Sequence, residues 1–107
     1  MVKILLVDDH ELVRSGIRLI LERVAGFVVV AEAKSGEDAI RYCRKDAPDI
    51  VLMDVNMPGI GGLEATKQIV RMSENTRVIC LSMHTENPIP AKVMQMGAFG
   101  FITNERH

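Results

Sequence analysis

Short apolar runs alternate with stretches of helical period along nearly the whole chain, and this alternation leaves few folds open. Val2–Val7 (VKILLV) is an apolar run with one Lys, and it stops at Asp8-Asp9. The period then changes. Over residues 10–24, Val13, Ile17, Ile20 and Val24 recur in steps of four, three and four, which predicts a helix with that stripe inward. Asp9 is placed to cap it, Glu11 lies in its first turn, and Gly26 ends it. Residues 27–31 form a second, β-branched strand. Ser35-Gly36-Glu37-Asp38 opens a second helix as a capping box. Ala39, Ile40, Cys43 and Ala47 mark its inner face, and Pro48 stops it.

The stretch IVLMDVNMPGIGG then gives a central strand, residues 50–53, ending abruptly on Asp54 before a turn-rich segment. Residues 63–72 read as a third helix, with Leu63, Thr66, Ile69 and Val70 inward. Residues 77–81 form a fourth strand ending on Ser82. Asn87-Pro88 opens a fourth helix that runs to Gly97, with Pro90 tolerated in its first turn. Residues 98–102 make a fifth strand. Five strands alternating with four helices specify a parallel sheet with right-handed crossovers and helices on both faces.

At 107 residues the chain is one domain. Hydrophobic content is 48% with seven Met and few aromatics, so the core is aliphatic. A net charge of −1 gives no global attraction to nucleic acid or to an anionic membrane. The longest apolar run is too short to span a bilayer, and the N-terminus has no signal-peptide layout. Cys43 and Cys80 fall within a helix and a strand and read as reduced core residues of a cytoplasmic protein.

All parallel strands end on one edge of their sheet. The polar ends Asp8-Asp9, Asp54, Ser82 and Thr103-Asn104 would therefore converge at one crevice outside the carboxyl ends. Carboxylates a few ångströms apart repel by roughly 4 kcal/mol per pair at an effective dielectric of about 20. Either one is protonated or a cation neutralises them. Oxygen ligands without a His or Cys partner at these strand ends suit Mg2+ more than Zn2+. Asp54 could then become an aspartyl-phosphate, with Ser82 donating a hydrogen bond to a phosphoryl oxygen. The plain alternative for Asp54 is a polar strand terminus.

The segments LLVDDHELVRSG, VLMDVNMPGIGGLEAT and LSMHTENPIPAKVMQMGAFGFI resemble the receiver domain of bacterial response regulators, of the NarL/FixJ type, near the GacA/UvrY/LetA group. The D-x-x-M-P-x-x-x-G pattern (Asp54, Met57, Pro58, Gly62) with an acidic pair after the first strand carries the resemblance, which covers nearly the whole chain. It implies a flavodoxin-like, doubly wound five-stranded parallel sheet in the order 2-1-3-4-5. It implies a phosphorylation switch rather than an enzyme. Asp54 matches the phosphoacceptor, charged by a sensor histidine kinase or its phosphotransfer domain. Asp9 matches the main Mg2+ ligand, Asp8 assists it, and Asn56 matches the position whose backbone carbonyl completes the metal site. Ser82 matches the hydroxyl that follows the phosphoryl group, and Phe101 the aromatic that reports it. In full-length relatives the output is a C-terminal helix-turn-helix that binds DNA as a dimer; it is absent from residues 1–107, so this fragment itself is expected to contact no nucleic acid and no membrane.

The chain departs from the pattern in three places. Asn104 stands where the family has Lys, which should weaken switching more than metal binding. The sequence stops where a fifth helix is expected, which would leave apolar surface open on the first helix and fifth strand and invite a homodimer. Residues 104–107 read as a tail foreign to the pattern. Met83 follows Ser82 where a smaller residue is usual. His10 reads as decoration of the first helical turn. His84 reads equally as a solvated loop residue or as an influence on phosphoryl lifetime. Met94 and Met96 read as adaptable core, and the run from Arg41 to Lys45 as a solvated helix face. The main alternative is a receiver-like interaction module with weakened or no phospho-switching. A phosphohydrolase of the D-x-D-x-T type lacks its second Asp here, because Asn56 occupies that position.

Overall fold

The computed structural model describes residues 1–82 and 100–103. The element order is β1 (Val2–Val7), α1 (Glu11–Glu22), β2 (Phe27–Ala33), α2 (Gly36–Lys45), β3 (Ile50–Asp54), α3 (Gly61–Met72), β4 (Arg77–Ser82) and β5 (Gly100–Thr103). All neighbouring strands pair in parallel, in the order β2-β1-β3-β4-β5. The alternating pattern predicted a parallel sheet, and this is the flavodoxin-like strand order that the resemblance implied. The expected fourth helix with Asn87-Pro88 and Pro90, and Met83, His84, Met94, Met96, Asn104 and the tail, lie outside the described residues.

A strand buried on both faces must be apolar at successive positions, and β1 shows it. Leu5 and Val7 point to one side, where they meet Val51 and Met53 of β3, Val78 and Cys80 of β4, and Ala39, Ile40, Cys43, Ala65 and Ile69 of α2 and α3. Ile4 and Leu6 point to the other side, with Val29, against Ile17 and Leu21 of α1. Helices on both faces are thus required by the sequence of the central strands. Cys43 and Cys80 are buried and unbridged, as expected of core thiols.

The helix termini needed correction. Asp9 does not cap α1: the N-cap is His10, with no side-chain cap bond, and Glu11 begins the helix. The His10 N–H instead donates to Asp8 Oδ1 at 2.8 Å. At the other end α1 stops at Glu22 rather than at residue 24, because the chain turns back through Gly26 at φ 91° so that Val2 N–H can reach its carbonyl. The inward stripe is also rotated. Ile20 is 65% exposed and Val24 43%, whereas Arg14, Ile17 and Leu21 face the sheet. Arg14 takes the inner position because Glu32 and the Asp8 carbonyl provide partners there.

The remaining boundary changes are smaller. In α2, Ser35 Oγ accepts the Asp38 N–H at 3.1 Å, as the capping box requires, but the helix ends at Lys45 and Ala47 is exposed. The run from Arg41 to Lys45 is only partly a solvated face: Cys43 is buried and Tyr42 half-buried. β2 runs two residues longer than expected, pairing through Ala33 with Val7. α3 begins two residues earlier, at Gly61. β4 includes Ser82, and β5 spans Gly100–Thr103 rather than residues 98–102.

Candidate functional site

β1 and β3 are hydrogen-bonded neighbours in parallel register, with Val7 opposite Met53. The next residue on each strand is an acid, so Asp8 and Asp54 leave the sheet side by side. Both are buried, at 6% and 5% exposure. Each closes the same local turn, its carboxylate Oδ1 accepting the N–H two residues on: His10 for Asp8 at 2.8 Å and Asn56 for Asp54 at 2.9 Å. These turns fix the carboxylates before any ligand arrives.

Asp9 and His10 complete the cluster. One ligand atom from each of Asp8, Asp9, His10 and Asp54 lies within 4.8 Å of the others. His10 Nδ1 is 3.0 Å from Asp9 Oδ1 and 3.4 Å from Asp8 Oδ1. The acids expected at the strand ends thus come together, and an exposed imidazole stands at their rim. The spacing D-D-H contained that signal, since a helix N-cap directly after a strand end keeps its side chain near the crevice.

Burial pushes the Asp54 carboxyl above its ordinary range. The Asn56 N–H opposes this, Asp8 and Asp9 reinforce it, and His10 opposes it. A buried acid beside two others is poorly stabilised as an anion until a cation joins it. Three carboxylates at this separation offer the hard oxygen donors that a divalent cation such as Mg2+ takes, so the donor set fits such an ion.

The other strands bring their ends to the same edge. Asp54 pairs with Leu81 and Ser82 with Thr103 in register, and Val55 N–H donates to the Leu81 carbonyl at 3.1 Å. Ser82 is thus the last residue of β4, and Phe101 sits in β5 opposite Cys80. Asn104 lies outside the described residues.

The loop after β3 is tied down from beneath. Met57 is buried at 7% exposure, and Gly59 and Gly61 take positive φ values of 79°. Gly62 opens a close approach: a Cβ there would stand 2.2 Å from the Asp54 carbonyl oxygen. Thr66, one turn further on, is fully buried and donates to the Gly62 carbonyl at 2.7 Å.

Arg14 was missed by the periodicity argument. Its side chain is 8% exposed, Nε donates to Glu32 Oε1 at 2.5 Å, and Nη1 donates to the Asp8 carbonyl at 2.7 Å. The signal was an arginine three residues before Ile17, in phase with Leu21, with a lone acid in the neighbouring strand.

A parallel sheet in this order, with acids at the ends of its two central strands, is the architecture of the response regulator receiver domain. Residues 4–105 match that family, and the chain belongs to it. Among individual proteins it is similar to the response regulator UvrY of Escherichia coli, 60% identical over 103 residues, which are 96% of this chain and 47% of UvrY. It is similar also to the response regulator GacA of Pseudomonas aeruginosa, 48% identical over 96% of this chain and 48% of GacA. The chain thus spans about half the length of the curated relatives it matches. Among solved structures, the CheX-CheY-BeF3-Mg2+ complex from Borrelia burgdorferi superposes with a TM-score of 0.88 at 26% identity, covering 99% of this chain and 80% of that one. The resemblance read from the sequence thus identified the right family and the right group.

Proposed function

We propose that this chain is the phosphorylation-controlled switch of a two-component pathway, with Asp54 as the phosphoacceptor. The observation that carries the reading is the buried Asp54 carboxylate set against Asp8 and Asp9 within 4.8 Å, at the carboxyl edge of the sheet. Asp8, Asp9 and Asp54 would hold Mg2+, with the Asn56 backbone carbonyl as a further ligand. When bound, the ion neutralises the carboxylates and screens the incoming phosphoryl charge. The Mg2+ in the Borrelia complex is consistent with this assignment.

The chain's own residues set up the transfer. The Asn56 N–H orients the Asp54 carboxylate, whose oxygen attacks phosphorus while the bond from phosphorus to the donor's histidine nitrogen breaks. Ser82, at the end of the neighbouring strand, donates its hydroxyl to a phosphoryl oxygen, and Phe101 in β5 reports the state to a partner surface. Asn104, at the position of the family's Lys, can donate a hydrogen bond but carries no charge, which lowers the strength of the switch. The donor is a sensor histidine kinase or its phosphotransfer domain. Residues 1–107 act as the receiver domain, and in the whole protein the switch governs dimerisation and DNA binding in the cytoplasm. Among the described residues no helix is long and apolar enough to cross a membrane.

The test is intact mass after acetyl phosphate, with and without Mg2+, on this chain and on Asp54→Asn. A Mg2+-dependent gain of one phosphoryl group, lost in the variant, is the expected result. No gain in either form would leave Asn104 as the mark of a receiver-like interaction module that does not switch by phosphorylation.

A further inference from the structure

We propose that Arg14 is a positioning residue for the acidic site, acting on the peptide carbonyl of Asp8 rather than on any ligand. Asp8 is the first residue beyond β1, so its backbone must be satisfied outside the strand. Its N–H donates to the Ala33 carbonyl of β2 at 3.1 Å, and its Oδ1 accepts from His10 N–H at 2.8 Å. The carbonyl is taken by Arg14 Nη1 at 2.7 Å. The residue is therefore held at three points, and the third comes from a guanidinium that is itself almost fully buried.

A buried cation needs a reason and a partner. Glu32 is the partner: its Oε1 takes Arg14 Nε and its Oε2 takes Arg18 Nη1, each at 2.5 Å. The planar fork of Arg14 thus bridges β2 to the strand end that presents Asp8 and Asp9. A lysine in this place has one nitrogen and could not hold both acceptors in the same geometry. Groups that orient metal ligands from behind typically alter metal affinity about ten- to a hundred-fold when removed. The inference rests on the metal site proposed above, and the experiment separates the two.

The sign of the effect distinguishes positioning from plain electrostatics. Deleting a positive charge near an acidic site strengthens cation binding if charge alone matters. Deleting a positioning contact weakens it. Mg2+ affinity is measured by titration calorimetry on the unphosphorylated chain, for the parent, Arg14→Met, Arg14→Lys and Arg18→Met, with melting in EDTA to establish folding. Arg18 binds the same Glu32, has a 40% exposed side chain and serves as the control.

Arg14→Met is expected to weaken Mg2+ binding by about ten-fold or more, and Arg18→Met to leave it within about two-fold. Affinity in Arg14→Met equal to or tighter than the parent's would overturn the proposal, as would an equal loss in Arg18→Met. Should Arg14→Met not fold, Arg14→Lys decides: weakened binding supports the role of the fork, and parental affinity rejects it. Failure of the parent itself to bind Mg2+ would overturn the metal-site reading and this inference with it.

Discussion

Gly62 and Asp54 are locked by backbone: a Cβ on Gly62 would lie 2.2 Å from the Asp54 carbonyl oxygen and 2.6 Å from Val55 Cα. Neither neighbour is a flexible side-chain end, so the first turn of α3 would have to move away from the end of β3. Gly62→Ala is expected to cost roughly 2–3 kcal/mol, the upper end for overpacking a well-filled interior. Urea unfolding of the parent and variant measures it. A variant as stable as the parent would show that α3 is free to shift, and that the glycine is not what holds the Asp54 loop.

Asp54 should lower the stability of the ion-free fold at neutral pH. Its folded carboxyl titrates above the usual range, chiefly through burial. A raised carboxyl contributes stability below its unfolded value, about 3.9, and that contribution is lost as pH rises through the folded value. Asn keeps an oxygen for the Asn56 N–H while removing the charge. Asp54→Asn in EDTA at pH 7 should therefore melt higher, by a few degrees. The gain should vanish near pH 3, where the parent is protonated as well. Melting curves across pH decide, and a lower melting temperature for the variant at pH 7 would contradict the repulsion.

Glu32 has the opposite sign. Hydrogen bonds from Arg14 and then Arg18 hold its carboxyl below the ordinary range. Its contribution is present above the unfolded value, about 4.3, and is lost as pH falls through the folded value. Glu32→Gln should melt below the parent at pH 7, with the two curves converging as pH falls below about 4. Curves that stay parallel over this range would mean that the ion pairs add nothing, as is common for exposed pairs.

The sheet was legible because both strand faces are apolar and because β-branched runs alternate with helical period. The site was legible because parallel strands end on one edge, which brings Asp8, Asp9 and Asp54 together without any knowledge of side-chain contacts. What escaped was phase and capping on α1. Val13, Ile17, Ile20 and Val24 form a regular stripe, yet Ile20 and Val24 are exposed. Hydrophobic period alone cannot place a buried arginine, because the position of Arg14 depends on Glu32 eighteen residues away. The same is true of Asp9. A cap preference is worth about 1 kcal/mol, too little to hold this carboxylate when His10 Nδ1 stands 3.0 Å from its Oδ1.

The two thiols provide a direct measure of opening. Cys43 and Cys80 are 5% and 0% exposed. Burial pushes the Cys43 thiol up to about 11 and raises Cys80 as well, the latter opposed by its contact with Thr66. Because the thiolate is the nucleophile, both should be nearly inert at pH 8 in the native chain. A disulfide reagent should titrate no thiol within minutes under native conditions, and both thiols in denaturant. Thr66 bonds the Gly62 carbonyl and touches Cys80 Sγ at 3.5 Å, so Thr66→Val loosens the packing between α3 and β4. That variant should speed Cys80 labelling more than Cys43 labelling, read by mass after timed quenching. Equal acceleration of both would place the opening in the whole fold rather than between α3 and β4.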